Sequence, residues 1–223
     1  MSKPTGFILH ETQHVVSIIT LKTTNKKTGP MAQIWFLVKD QNPLEAIRSG
    51  ADRKICGSCP LRGNKGENRA CYVNIGQAPL AVWKKWSRGG YPSIPSLDLL
   101  KGYKIRFGAY GDPTLLPYAL AQQIAAISQG WTGYSHQWRK PLNQAWRNLV
   151  MASVETAADE SLARSMGWRT FRATNQPSPG SIECPSERGV QCADCLLCSG
   201  TNRKNAPSIW IAPHGSGKKF VNN

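Results

Sequence analysis

The sequence predicts an α/β protein built on a parallel sheet, either a partial (βα) barrel or an open sheet, with an N-terminal β-hairpin and cysteine-rich loops. Three observations carry this. Apolar strand-like runs alternate with helical stretches between residues 104 and 174, β-branched runs fill the first 40 residues, and all seven cysteines fall into two spaced groups.

In chain order, the runs HVVSIITL (14–21) and QIWFLVK (33–39) flank TTNKKTGP and read as a hairpin or two strands. A short helix is expected over 43–48, then a cysteine- and glycine-bearing loop over 53–76, then a helix over 78–88 that carries Trp83 and Trp86. After the Gly89-Gly90-Tyr91-Pro92 break, strands are expected at 104–110, 130–134, 148–154, 168–174 and 207–212. Helical stretches follow the first three of these at 113–128, 141–147 and 157–166. Strand, helix, strand at this spacing implies right-handed crossovers and parallel pairing. Segments 1–50, 51–92, 93–176 and 177–223 then read as the hairpin, first cysteine loop with its helix, (βα) core, and second cysteine loop with the final strand of one compact domain. Functional residues of such sheets sit on loops at the carboxyl ends of the strands. Gly111, Asp112, His136, Arg139, Glu155 and His214 fall there and are candidates to bind a cofactor or substrate.

Composition narrows the class. The 223 residues are 40% hydrophobic, enough for a real core. The longest apolar stretches, 15–21 and 34–38, fall well short of the ~20 residues of a bilayer-spanning helix, so no membrane partner is expected. The first residues lack a signal-peptide pattern, so a cytoplasmic location is expected. Lys and Arg number 28 against 13 Asp and Glu, for a net charge of +15, and residues 53–106 carry +9 of it. A nucleic acid or nucleotide partner follows from that excess, with a merely solvated basic face as the alternative. Lys84, Lys85, Trp86 and Arg88 combine cations with an indole and are the candidate contacts.

The cysteines carry the strongest signal. The first group is Cys56-x2-Cys59-x11-Cys71, followed directly by Tyr72; the second is Cys184-x7-Cys192-x2-Cys195-x2-Cys198. Free thiols do not fall into x2 steps three times by accident, and a reducing compartment favours metal ligation over disulfides. Structural zinc usually takes two pairs of ligands, whereas consecutive x2 steps with a distant fourth cysteine suit a cubane 4Fe–4S cluster; zinc stays open as the alternative metal. One or two clusters are expected, and the group of three leaves one iron without a protein thiolate.

The three cysteines with Tyr72 after the last, the strand ending Gly-Ala-Tyr-Gly111-Asp112-Pro, the segment Thr132-Gly-Tyr-Ser-His136-Gln-Trp-Arg139 and Leu149-Val-Met-Ala-Ser-Val-Glu155-Thr before an alanine-rich helix stand in an order that resembles radical S-adenosylmethionine-like iron–sulfur proteins encoded by phages. The similarity runs over about residues 50–215. It implies a partial barrel of radical-SAM-like type, a cluster on Cys56, Cys59 and Cys71 whose open iron takes S-adenosylmethionine, an auxiliary cluster on Cys184, Cys192, Cys195 and Cys198, and Tyr72 at the cofactor site. It also implies residence in the host cell. The family's compact Cys-x3-Cys-x2-Cys spacing is replaced here by a final gap of eleven, and no Gly-Gly-Glu follows. A non-enzymatic, metal-stabilised nucleic-acid-binding protein is the alternative reading of the same residues.

Two weaker motifs complete the survey. His10-Glu11-Thr12-Gln13-His14 fits the zinc-protease pattern but leads into a β-branched run, which favours a strand or turn over the helix that pattern needs. Gly215-Ser-Gly217-Lys218-Lys219 lacks the first glycine and the terminal hydroxyl of a phosphate loop and reads as a basic tail.

Overall fold

The computed structural model describes residues 4–203, 205–215 and 217–221. Strands β1 (Gly6–Glu11), β2 (Val15–Thr20) and β3 (Met31–Val38) form an antiparallel meander. The N-terminal region thus holds three strands, because residues 6–11 add an outer one whose second half is only partly buried. The zinc-protease-like residues are the end of β1 and its turn into β2, closed by the Thr12 N–H on the Val15 carbonyl at 2.8 Å, so the helix that would align the two histidines does not form.

β3 is buried along its whole length because it is interior to the sheet, antiparallel to β2 on one side and parallel to β4 (Lys104–Tyr110) on the other. From there β5 (Gly130–Ser135), β6 (Met151–Val154), β7 (Thr170–Ala173) and β9 (Ser208–Ile211) add in parallel, and β8 (Ser181–Glu183) pairs outside β9. The order of the single nine-stranded sheet is β1-β2-β3-β4-β5-β6-β7-β9-β8, with no pairing between its first and last strands among the described residues. The α/β class and the mostly parallel sheet are as the sequence predicts, and the sheet is open.

From β3 to β7 each parallel strand lies beside the one before it, so the chain winds in one direction only. Right-handed crossovers then put the connecting helices on one face. The helices are α1 (Pro43–Ser49), α2 (Arg53–Cys56), α3 (Ala78–Trp86), α4 (Tyr118–Ile127) and α5 (Ala157–Ser165), with a 3-10 segment, Pro141–Asn148, between β5 and β6. Their residues Ala46, Val82, Ile124, Trp146 and Ala163 share one core with Ile105, Phe107, Ala152 and Val154 of the sheet. Strand alternation turns Tyr134, Met151, Phe171, Ile209 and Ile211 to the other face, where Cys184 and Cys198 of the second cysteine loop, which carries the short helix α6 (Cys192–Cys195), cover them. The second cysteine loop therefore closes this face. It is anchored by buried Glu160 of α5, which accepts hydrogen bonds from Thr170 of β7 and from Ser178 and Ser181 ahead of the loop.

The carboxyl end of β4 packs on the element that bears the first cysteine. Gly111 has φ +80°, and a Cβ there would lie 2.6 Å from Phe36 Cβ and 3.3 Å from the Ile55 carbonyl. Glycine is required both by conformation and by that close approach. Gly89, with φ +71°, has no atom within 4 Å of such a Cβ. Gly89→Ala is expected to cost about 1 kcal/mol and Gly111→Ala about 3 kcal/mol or more, read as shifts in denaturant midpoint; equal costs would mean that Gly111 is not held against Ile55.

Candidate metal centres

The first cysteine group is assembled where β3, β4, β5 and β6 end. Cys56 closes α2, and the Cys59 N–H bonds its carbonyl at 3.1 Å. The eleven-residue gap is a closed excursion: Asn64 and Glu67 bond each other's backbone, and the Cys71 N–H returns to the Leu61 carbonyl at 2.8 Å. Gln137 fixes the intervening turn, donating to the Cys56 carbonyl at 3.1 Å and accepting from Ser58. Burial, then the neighbouring Cys59 and Cys71, push the Cys56 thiol well above its ordinary value, and burial raises Cys71. The raised Cys56 and Cys71 thiols resist ionisation unaided, and a bound cation or cluster would offset that cost.

His136 joins this group from the end of β5. Burial works against charging its ring, but the Cys59 thiol and the Glu155 carboxylate outweigh burial and hold its pKa well above the usual range. Its Nε2 stands 2.8 Å from Glu155 Oε1, at the end of β6. The structure thus brings together five sequence candidates: Cys56, Cys59, Cys71, His136 and Glu155. Asp112 lies behind them with its acceptors engaged inside the protein. Oδ1 accepts from the Thr114 N–H and hydroxyl, Oδ2 from the His136 N–H at 2.9 Å, and both from Ser135. Its own N–H donates to the Ile55 carbonyl at 2.8 Å. Asp112 positions the site and does not face a ligand, and Gly111 serves the same packing.

The second group faces a small cavity of about 20 Å³ lined by Cys184, Cys192, Cys195 and Cys198 together with Thr132, Tyr134 and Ile209. Backbone bonds set the loop in place: Cys184 N–H to Trp210 O (2.7 Å), Cys192 N–H to Lys27 O (3.1 Å) and Gly133 N–H to Cys198 O (2.9 Å). Burial pushes the Cys198 thiol up to about 12, although the Tyr134 hydroxyl beside it and Arg106 oppose the rise. All seven cysteines are free. Among the described residues, no three His, Cys, Asp or Glu side chains are drawn together closely enough to hold a metal ion.

Arg106 was not singled out by the sequence reading. Its guanidinium is buried, donates to Thr132 Oγ1 (3.3 Å) and Tyr72 Oη (3.2 Å), and lies 4.4 Å above the Tyr134 ring. No carboxylate pairs with it among the described residues, and a buried cation without an anion is costly. Burial disfavours its charge, but Tyr134, Tyr72 and Cys192 overcome that and hold it protonated. The available signal was an arginine at the inner, alternating position of the strand KIRFGAY. Tyr110 and Gln137 were likewise missed, being ordinary residues of a strand end and a loop.

Tyr72 and His214 stand between the two groups, ring centres 5.5 Å apart, with Lys27 Nζ 3.5 Å from His214 Nε2. The remaining candidates lie elsewhere. Arg139 pairs with Asp159 and stacks 4.1 Å from the Trp138 ring. Lys85 donates to Thr5 Oγ1 and Trp86 rests edge-on against Trp83, whereas Lys84 and Arg88 are exposed. The phosphate-loop-like tail includes Ser216, which lies outside the described residues.

The thiol chemistry is directly measurable. In metal-free, reduced protein at pH 8, Cys198 is expected to react with iodoacetamide about three orders of magnitude more slowly than a cysteine of the unfolded chain; equal rates would contradict its buried, protonated state. Comparison of the chain with family models, curated proteins and solved structures gives no match.

Proposed function

We propose that this chain is an iron–sulfur protein of radical S-adenosylmethionine-like type, with a reactive cluster on Cys56, Cys59 and Cys71 and an auxiliary cluster on Cys184, Cys192, Cys195 and Cys198. The observation that carries the reading is the segregation of every cysteine, all free, into two groups: three at the carboxyl ends of the parallel strands and four around one cavity beside a buried arginine. All-thiol donor sets suit soft metal centres. The uncompensated charge of Arg106 fits a thiolate cluster, which is anionic. One-directional winding of the parallel strands supports the partial-barrel type.

A cluster on Cys56, Cys59 and Cys71, re-reduced by an external one-electron donor, would supply the electron for reductive cleavage of S-adenosylmethionine to methionine and a carbon radical able to take hydrogen from a substrate. The protein's own residues do the rest. Cys56, Cys59 and Cys71 would hold the cluster, the His136 ring is held against Glu155 Oε1 beside Cys59, and Asp112 keeps the strand ends in register. Tyr72 and His214 offer ring faces, with Lys27 as a cation, to a nucleotide or nucleic acid, and Lys84 and Arg88 are further exposed cations.

One observation favours a second reading. His136 stands beside Cys59 with Glu155 behind it, the arrangement of a histidine ligand and its orienting carboxylate. If His136 takes the fourth position, the first site has no open iron and the protein is a metal-stabilised nucleic-acid-binding module. The electron paramagnetic resonance spectrum of reduced, anaerobically purified protein separates the two. A first-cluster signal that changes on adding S-adenosylmethionine is expected; an unchanged signal that becomes responsive in His136→Ala would establish the closed site instead.

A further inference from the structure

Four buried side-chain polar atoms have no hydrogen-bond partner among the described residues: Arg62 Nε, Arg69 Nε, Tyr110 Oη and Arg164 Nε. Three of them are donors in or against the first cysteine loop. Arg62 and Arg69 lie within the excursion between Cys59 and Cys71, and Tyr110 ends β4, next to the Gly111 and Asp112 backbone that packs on Ile55. Tyr110 is the sharpest case. It is 3% exposed, so water does not satisfy its hydroxyl, and Cys56, Arg69, Asp52 and Cys71 lie near enough for their charge to act on it. Arg69 uses Nη1 on the Cys71 and Val73 carbonyls, which turns the guanidinium toward the same cysteine.

A buried donor left unpaired is expensive, and native structures rarely keep one without a reason. The shortage here is one of acceptors, beside thiols that themselves need a compensating centre. We infer that Tyr110 Oη donates a hydrogen bond to a sulfur of the cluster held by Cys56, Cys59 and Cys71, and that Arg69 Nε lines the same anionic occupant. This rests on the iron–sulfur reading of that site. The bond stabilises the more negative, reduced state of the cluster, so it raises the cluster's reduction potential. In metal-free protein the hydroxyl has no partner and gives no stability.

Tyr110→Phe separates these effects because it removes only the oxygen. The expected result has two parts. Metal-free Tyr110→Phe melts at the same temperature as wild type or higher, and the reconstituted variant, with wild-type iron and sulfide, shows a more negative midpoint for the first cluster, identified as the signal lost in Cys56→Ser. Loss of first-site iron with an unchanged metal-free melting temperature supports the same bond. An unchanged midpoint at full iron content overturns the inference alone, as does a lower metal-free melting temperature, which would reveal a partner within the protein. Wild-type protein that takes up no iron and sulfide overturns the iron–sulfur reading, and this inference with it.

Discussion

The carboxylate of Asp112 ties together most of what surrounds the first cysteine group. It holds the end of β4 through Thr114, the end of β5 through Ser135 and the start of the following loop through the His136 N–H, while its own N–H grips the Ile55 carbonyl next to Cys56. Three chain segments that are far apart in sequence meet at one buried group. Hydrogen bonds to an ionised acceptor are stronger than neutral ones, and leaving the partners of a buried carboxylate unpaired is costly. The turn that bears Cys56 and the ring of His136 are therefore placed by the same anchor. The left-handed Gly111 allows the strand end to come close enough for that anchor to form.

Charge organises the second centre in a complementary way. The second face of the sheet would otherwise leave Tyr134, Met151 and Ile209 exposed, and the loop that covers them brings four thiols with it. Arg106 reaches this face from β4 and touches Tyr134 on one side and Tyr72, the neighbour of Cys71, on the other. One buried cation thus lies between both cysteine groups. In the proposed reading it is a shared countercharge for two thiolate-bound centres, which explains how an unpaired guanidinium is tolerated inside the protein.

Much of the architecture was legible in the sequence because its strands are strongly apolar and separated by glycine- and proline-bearing breaks. The runs at 33–39 and 104–110 become β3 and β4 almost unchanged. β8 was missed: its three residues, Ser181–Glu183, sit at the sheet edge with no buried side chain, so they leave no apolar pattern. Cysteine spacing revealed two groups, but not that residues 60–70 fold back on themselves to return Cys71 to Cys59, which is a matter of backbone pairing. His136 and Glu155 were found by their place after strands and do meet. Arg139 had the same kind of position and is taken by Asp159 instead, since position after a strand does not disclose which way a side chain turns. Tyr110 and Arg106 escaped because their importance lies in burial without a partner, a property that appears only in three dimensions.

The proposed function depends most on the two cysteine groups being separate sulfide-bearing centres. Iron, acid-labile sulfide and zinc should be measured per chain in anaerobically reconstituted wild type and in two variants, one with Cys56, Cys59 and Cys71 changed to Ser and one with Cys192, Cys195 and Cys198 changed to Ser. About eight irons and matching sulfide in wild type, falling to about four in each variant, is the predicted result. Zinc without sulfide, or the emptying of both centres by either variant, would contradict it.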